Sequence, residues 1–231
     1  MVCLASSGCY YTHLAEGQWT LLWNRVPLQD AAARDPSLSP ELIRRLDLVP
    51  SVRAFAQELG LLVDDQYTRF VPWDGDRILT SVVATRPGEI EAAGFDFPFL
   101  GTLPYKGFFD QNLAEREAAG LREDGLDACL VPVSAYSTLG WLADPVTAPM
   151  LRSARSDGAF AEVLFHELVH ATAFWPEDPD FSESVASFVG EEATIRFAAR
   201  QERTQPRGAA LRPAREWSRV QEDRSIAAAL L

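Results

Sequence analysis

The chain has 231 residues, of which 47% are apolar and 23% are charged, a composition typical of a globular protein with a core of its own. Its formal net charge is −12. This charge argues against nucleic acid and against an anionic membrane as partners, because both are bound through basic surfaces. No apolar run reaches the roughly 18 residues of a membrane-spanning helix, so we expect no such helix.

The N-terminal segment, residues 1–13, is predicted to be a tail outside the folded domain. It lacks the basic and apolar regions of a signal peptide, yet Ser7 and Gly8 before Cys9 are similar to the end of a bacterial lipoprotein signal. Two interpretations stay open: a disordered start, or a true start upstream with Cys9 as the lipid-bearing first residue. We expect the cell envelope if a signal peptide precedes this start and the cytoplasm otherwise.

The segment that follows is predicted to be helical. Apolar residues at helical spacing favour a first helix over residues 14–28. A second helix is predicted to begin with Ser39 as its N-cap and Pro40 at its first helical position. Proline has no amide hydrogen, so Pro50 is expected to interrupt this helix and Ser51 to cap a further one.

The middle of the chain is rich in aromatic and β-branched residues separated by glycine and proline, which predicts short strands and turns. A helix from Asp110 to Asp124 is predicted among them, because Gly125 is a typical helix terminator. The predicted strands are Tyr67 to Val71, Ile78 to Thr85, Phe97 to Phe109 and Asp127 to Val133.

Two more helices are predicted after these strands, over residues 157–174 and 182–200. The order of helices, a small mixed sheet and a final helix pair predicts an α+β fold, within one domain of residues 14–200. Residues 201–231 are predicted to form a C-terminal linker and a short peripheral helix.

A metal-binding motif lies on the first helix of this final pair. The chain has three histidines, and two of them, His166 and His170, are four positions apart. On a helix this spacing puts both imidazoles on one face, where they can bind one tetrahedral Zn²⁺. Glu167 could then activate a water at the open zinc position, since it lies beside the first ligand. Two core histidines with a chance glutamate are the alternative, which the rarity of histidine argues against. We therefore predict a zinc metallopeptidase acting on a peptide or protein substrate.

A catalytic zinc site needs a third protein ligand, and no histidine follows His170, so a carboxylate or a cysteine is required. The predicted ligand is Glu183, at the start of the next helix, with Ser187 one turn later as its support. The alternative role of Glu183 is a capping box, in which it bonds the backbone of Asp180. The rival acidic ligands are Asp178, Glu191 and Glu192.

Several motifs follow one another in a characteristic order: Tyr105 to Asp110, Ala135 to Trp141, Asp144 with Pro145, Phe165 to His170, and Phe181 to Val189. Over about residues 8–197 the chain resembles a bacterial family of predicted zinc proteases named as aminopeptidases, many of which begin as lipoproteins. The resemblance implies a zincin-like fold and a gluzincin-like site, with His166, His170 and Glu183 as zinc ligands and Glu167 as base. It also favours Cys9 as a lipid-bearing residue.

Two features depart from the family's pattern. Ser182 stands where the family usually has asparagine before the third ligand, and the sequence after about Arg200 does not resemble the helices with which the family continues. Tyr136 is a further candidate, as a hydrogen-bond donor to the oxyanion, although packing against Trp141 is the favoured interpretation.

Two rival functions stay open. A peptide deformylase would take its third ligand from an upstream cysteine, here Cys129, but the glycine-rich motif of those enzymes is absent and Cys129 is expected to be a buried thiol. The second rival is an inactive or truncated homologue that acts as an envelope-associated interaction module, which the divergent C-terminal segment suggests. The oligomeric state is not predicted.

Overall fold

The structure, a computed structural model, describes residues 3–97, 101–135, 143–175 and 177–204. Helices and small sheets alternate along the chain, which confirms the predicted α+β class. Among the described helices, none combines the length and hydrophobicity that a bilayer crossing requires. The helices are α1 (Cys3–Trp23), α2 (Ala31–Arg34), α3 (Pro40–Glu58), α4 (Gln111–Glu123), α5 (Ala148–Ser153), α6 (Asp157–Thr172) and α7 (Pro179–Thr204), with a 3-10 turn at Leu28–Asp30. The strands are β1 (Val26–Pro27), β2 (Arg69–Val71), β3 (Leu79–Thr85), β4 (Phe95–Phe97), β5 (Gly101–Leu103), β6 (Lys106–Phe108), β7 (Asp127–Val133) and β8 (Val146–Thr147).

The chain forms two compact units. The first unit comprises Met1–Arg25 and Val71–Tyr136, and the second comprises Val26–Phe70 and Ser137–Leu231. The boundaries at residues 13 and 200 that the sequence suggested for the peptidase domain stay a prediction.

The first unit is built on an antiparallel sheet in which β3 lies between β6 and β7. Helix α4 connects β6 to β7, and its Ala114 and Ala118 pack in one buried cluster with Val82 of β3. The prediction of one small mixed sheet was wrong, because the described strands form three small sheets. The predicted strand from Phe97 to Phe109 is divided among β4, β5 and β6, since Gly101 has a left-handed φ of 72° that a continuous strand does not accommodate.

Helix α1 begins at Cys3, eleven residues before the predicted start at residue 14, and ends at Trp23, short of the predicted residue 28. Its C-terminal limit follows from Pro27, which lies in β1. Contacts with the rest of the first unit hold the helix: the Tyr10 hydroxyl donates to the Gly107 carbonyl at 3.1 Å, and the His13 Nε2 accepts the Phe109 amide at 3.0 Å. These contacts join residues far apart in sequence, so local composition does not reveal them.

Two predicted helix starts and one predicted stop are confirmed. The Ser39 hydroxyl accepts the Leu42 amide at 3.3 Å and caps α3. The Asp110 carboxylate accepts the Asn112 amide at 2.8 Å and caps α4. Gly125 follows α4 with a left-handed φ of 84°, the conformation in which glycine ends a helix.

The predicted break of α3 at Pro50 was wrong, as was the new N-cap at Ser51, because α3 continues through both residues. A proline inside a helix costs about 3 kcal/mol. Val49 and Val52, on either side of it, are fully buried, and burial of each valine contributes roughly 1.5–3 kcal/mol. Core packing of α3 therefore outweighs the lost hydrogen bond.

The core of the second unit fixes the rotation of α6. Phe55 of α3, Phe165 of α6 and Phe197 of α7 form a trio of buried rings whose centroids lie 5.5–6.0 Å apart. Because Phe165 is fully buried in this trio, the residue that follows it turns toward the half-buried face of α6.

Candidate metal centre

Helix α6 carries the two histidines and is anchored at its N-terminus. The Ser156 hydroxyl caps it by accepting the Ala159 amide at 3.1 Å. The Asp157 carboxylate in its first turn accepts a hydrogen bond from the buried Arg45 guanidinium at 3.2 Å. Arg45 also donates to the Leu151 carbonyl at 2.7 Å, so the start of α6 is held from two directions.

The two imidazoles lie side by side on one face of α6, as the four-residue spacing predicts. The Nε2 atoms of His166 and His170 are 3.1 Å apart, and the two ring planes are nearly perpendicular at 82°. Both Nε2 atoms thus face one common position beside α6.

Helix α7 approaches α6 very closely beside His166. A Cβ atom added at Gly190 would lie 3.2 Å from the His166 amide nitrogen and 3.3 Å from the Glu162 carbonyl oxygen. Both neighbours are backbone atoms and cannot rotate away, so the close approach depends on glycine at this position.

The connection from α6 to α7 is fixed by two short side chains. The buried Ser182 hydroxyl accepts the Trp175 amide at 2.9 Å and donates to the Trp175 carbonyl at 3.2 Å. The Asp178 carboxylate accepts the Phe181 amide at 3.0 Å and caps α7. Ser182, which the sequence showed only as a departure from the family pattern, therefore holds the loop that directs the next residue, Glu183, back toward α6.

The structure brings Glu183 to both histidines. Its Oε2 lies 3.3 Å from the His166 Nε2, and its Oε1 lies 3.3 Å from the His170 Nε2. Because α7 is capped by Asp178 and the Glu183 carboxylate faces the imidazoles, the capping-box interpretation is not supported. Among the described residues, His166, His170 and Glu183 are the group whose ligand atoms could hold one metal ion, all within 4.8 Å of one another.

The separations between the imidazole nitrogens and the carboxylate oxygens are compatible with a tetrahedral zinc site. With zinc bonds of roughly 2.0–2.1 Å, neighbouring ligand atoms of a tetrahedron are about 3.3–3.4 Å apart. The two Nε2 atoms are 3.1 Å apart, and each lies 3.3 Å from a different oxygen of the Glu183 carboxylate, so each of these separations is close to this edge length. Two imidazoles and one carboxylate are also the donor set of catalytic sites that keep a fourth position open.

The charges of the site favour metal binding. Burial lowers the pKa of His166, the charge of His170 lowers it further, and Glu183 opposes both effects. The neutral imidazole that results is the form that binds metal. The side chain of His170 is 5% exposed whereas that of Glu183 is 63% exposed, so the group is buried on one side and open on the other.

The rival acidic ligands have other surroundings. Asp178 caps α7, and Glu192 pairs with Arg196 at 3.2 Å. Glu191 does not belong to the group that could hold a metal in the described part of the chain. The predicted supporting residue Ser187 is exposed on α7.

The two remaining candidates are Cys129 and Tyr136. Cys129 is exposed on β7, so the expectation of a buried thiol was wrong, and it is not part of the metal-binding group found among the described residues. Tyr136 lies outside the described residues.

Sequence reasoning missed Tyr67, which it placed at the start of a strand. The strand begins at Arg69 instead, and Tyr67 is a buried residue with a left-handed φ of 56°. Burial raises the pKa of its phenol well above the ordinary value, and the negative charges of Glu167 and Asp144 raise it further. Tyr67 therefore lies within electrostatic range of the half-buried Glu167, the predicted base.

A comparison with protein families agrees with the resemblance seen in the sequence. The model of a family described as "Putative aminopeptidase" matches residues 9–231. The chain belongs to this aminopeptidase family. The family description indicates a peptidase with a peptide substrate. Comparisons with curated proteins and with solved structures gave no match.

The extent of the match to the aminopeptidase family corrects one expectation. The match continues through residues 201–231, so the prediction that the sequence departs from the family after about Arg200 was wrong. The apparent divergence of this segment had suggested that the protein is an inactive or truncated homologue. Because the family match includes the segment, that alternative is no longer favoured.

Proposed function

We propose that this chain is a zinc-dependent aminopeptidase with a zincin-like fold and a gluzincin-like site. The observation that carries the proposal is the convergence of three side chains: the Nε2 atoms of His166 and His170 are 3.1 Å apart, and each lies 3.3 Å from one of the two oxygens of the exposed Glu183 carboxylate. In this proposal these three residues bind Zn²⁺, and the open side admits water and substrate.

When bound, the zinc would supply a Lewis acid that lowers the pKa of a coordinated water toward about 7 and polarises the scissile carbonyl. The two histidines serve this role as neutral ligands, which the lowered pKa of His166 supports. Glu183 adds one negative charge, so the three ligands leave a net positive site that favours an oxygen ligand.

Glu167 acts as general base and then as general acid. Its carboxylate accepts a proton from the attacking water as the water oxygen bonds to the carbonyl carbon. The same carboxyl group gives the proton to the leaving nitrogen as the carbon–nitrogen bond breaks. Its position next to His166 on α6 and its half-buried state support this role.

The preference for a free amino terminus follows from the family description, so it needs its own measurement. We propose a digest of a peptide library in two matched forms, with free and with acetylated amino termini. An aminopeptidase releases residues from the free form alone, whereas an endopeptidase cleaves both.

Metal analysis and three variants test the mechanism. We expect about one zinc per wild-type chain and loss of activity with a strong chelator. Glu167→Gln should keep its zinc and lose roughly 10²- to 10⁴-fold in kcat, the range for a missing general base. Glu183→Gln should lose most of its zinc. Glu192→Gln, a glutamate of the same helix that pairs with Arg196, should match the wild type in both measurements.

Two outcomes would contradict the proposal. Full zinc binding by Glu183→Gln would remove this residue from the ligand set. Activity that persists in Glu167→Gln, or in the chelated protein, would exclude the proposed base or the proposed metal.

A further inference from the structure

Exposed aromatic side chains gather around the connection between α6 and α7. Phe174 is 37% exposed, Trp175 39% and Phe181 48%. Other phenylalanines of the second unit, such as Phe160 and Phe165, are fully buried, because the removal of a large apolar side chain from water is favourable. Exposed apolar side chains that are grouped on one surface mark a site of contact with another molecule. We call Phe174, Trp175 and Phe181 the aromatic patch.

The aromatic patch is in contact with the candidate metal centre. The centroid of the Phe174 ring lies 6.1 Å from that of the His170 ring, and the two ring planes are 73° apart. His166, His170 and Phe174 follow one another at intervals of four residues. The ring contact shows that Phe174 continues the row of the two imidazoles beyond Thr172, the last residue of α6. An exposed apolar surface therefore begins directly beside a proposed zinc ligand.

The two other members of the aromatic patch are held together at the start of α7. The rings of Trp175, in the loop before α7, and Phe181, in its first turn, pack edge to face with centroids 5.0 Å apart. The Ser182 hydroxyl fixes the Trp175 backbone at both its amide and its carbonyl. The loop therefore presents the patch in a largely preformed arrangement, so the binding of an apolar group requires little ordering of the backbone.

The position of the aromatic patch relates it to the residues that flank a cleaved bond. In the proposed hydrolysis the carbonyl of that bond comes to the metal centre, and the two residues that the bond joins have Cα atoms only about 3.8 Å apart. Their side chains therefore lie close to His170 and to the Phe174 ring that contacts it. Two phenyl rings and an indole stabilise apolar side chains by excluding water, and the indole N–H is their only polar group.

We propose that the aromatic patch is the substrate subsite for a bulky apolar side chain next to the cleaved bond, with Phe174 as its specificity-determining residue. The substrate class is then peptides that carry a residue such as phenylalanine or leucine at that bond. Phe174 has the leading role because it is the member of the patch whose ring contacts a proposed zinc ligand, His170. This inference rests on the proposed peptide hydrolysis.

The kinetic test uses tripeptides with phenylalanine, leucine or alanine at the first or the second position, the two residues that flank the bond an aminopeptidase cleaves. In one of these two series we expect the wild-type kcat/KM to be about 10- to 100-fold higher for the phenylalanine and leucine peptides than for the alanine peptide. Phe174→Ala should reduce this ratio to about threefold or less, while its zinc content and its kcat/KM for the alanine peptide stay near the wild-type values. Phe174→Leu keeps an apolar surface and should retain most of the ratio.

The matched control is Phe188→Ala, which should keep the wild-type ratio. Phe188 is 67% exposed on α7, seven residues or about 10 Å along the helix axis from Phe181, and it is outside the aromatic patch. If Phe174 only shields His170 from water, Phe174→Ala would weaken zinc binding and slow the cleavage of all peptides by one factor, so the ratio would stay unchanged. If the patch instead binds a second copy of the chain, Phe174→Ala would change the oligomeric state in sedimentation and leave the ratio unchanged. Either result would overturn the inference.

A binding measurement needs no cleavage and separates this inference from the proposed function. In calorimetry with the intact tripeptides, Glu167→Gln should bind the phenylalanine peptide about tenfold or more tightly than the alanine peptide, and a second change, Phe174→Ala, should remove the difference. An active wild type that does not distinguish these peptides, with equal binding by Glu167→Gln, would refute the subsite alone. A wild type that cleaves none of the peptides would refute the proposed hydrolysis and the subsite with it.

Discussion

Replacement of Gly190 by alanine tests the close approach of α6 and α7 on which the candidate metal centre depends. The added methyl group would lie 3.2–3.3 Å from three backbone atoms of α6, two of which belong to His166. Carbon contacts are optimal at about 3.5–4.0 Å, so α7 must retreat by roughly 0.3–0.5 Å. Metal–ligand distances tolerate only about 0.2 Å, and Glu183 lies on the same helix as Gly190.

The expected change in the free energy of unfolding follows from a comparison with a second glycine that lies inside a helix. Nothing lies within 4 Å of a Cβ atom at Gly120 in α4, so Gly120→Ala should gain the ordinary helix propensity of alanine, about 0.8–1.0 kcal/mol. Gly190→Ala gains the same propensity but overpacks the helix pair, which costs about 1–3 kcal/mol. The two variants should therefore differ by roughly 1–3 kcal/mol in the free energy of unfolding.

Urea denaturation followed by circular dichroism measures these free energies, and a competition titration measures zinc affinity. We expect Gly190→Ala to bind zinc about tenfold or more weakly than the wild type, the range seen when the support of a metal ligand is disturbed. Gly120→Ala should bind zinc as the wild type does. If Gly190→Ala is as stable as Gly120→Ala and keeps the wild-type zinc affinity, the reasoning from the close approach is refuted.

Four further predictions concern stability, pH and metal. Arg45→Met should lower the free energy of unfolding by about 3 kcal/mol, because it breaks a buried ion pair with Asp157. Arg44 is an exposed partner of the same carboxylate, so Arg44→Met should cost less than about 1 kcal/mol. Urea denaturation measures both values. Zinc should be half released in equilibrium dialysis at a pH below about 6.5, the ordinary histidine pKa, because the lowered pKa of His166 keeps its imidazole neutral to a lower pH. For the same reason the metal-free protein should lose stability as the pH falls below about 6.5, where the unfolded chain takes up the proton first. Zinc at about 100 times its Kd should raise the free energy of unfolding by about 2.7 kcal/mol.

Each of these predictions has a contrary result. Equal losses in the two arginine variants would show that burial does not distinguish them. Half-release of zinc at a pH above the ordinary histidine pKa, or a metal-free protein that gains stability on acidification, would contradict the sign of the His166 shift. An unfolding free energy that does not respond to zinc would mean that the native state has no zinc site.

The local features of the chain were largely predictable. Ser39 and Asp110 cap the predicted helices, and Gly125 follows the predicted end of α4. These signals are readable because a cap or a turn depends on hydrogen bonds and backbone angles within a few residues. The lipid anchor at Cys9 stays a prediction, and so does the favoured interpretation that Tyr136 packs against Trp141.

Local signals failed where distant packing decided the outcome. Pro50 predicted a break, but its neighbours Val49 and Val52 are buried in the core and keep α3 continuous. Helix α1 begins at Cys3, before the predicted residue 14, and its Tyr10 and His13 bond to distant backbone groups. In both cases the deciding partners lie outside any local window.

The sequence by itself determined that His166 and His170 share one face of a helix with Glu167 beside them, because helical periodicity is a local property of the backbone. It named Glu183 among several acidic candidates but could not choose by geometry. The choice came from the tertiary structure: Ser182 holds the loop, and Gly190 allows the close approach of the helices. Distances between helices depend on contacts among residues far apart in the chain, so only the folded protein fixes where the Glu183 carboxylate lies relative to the two imidazoles.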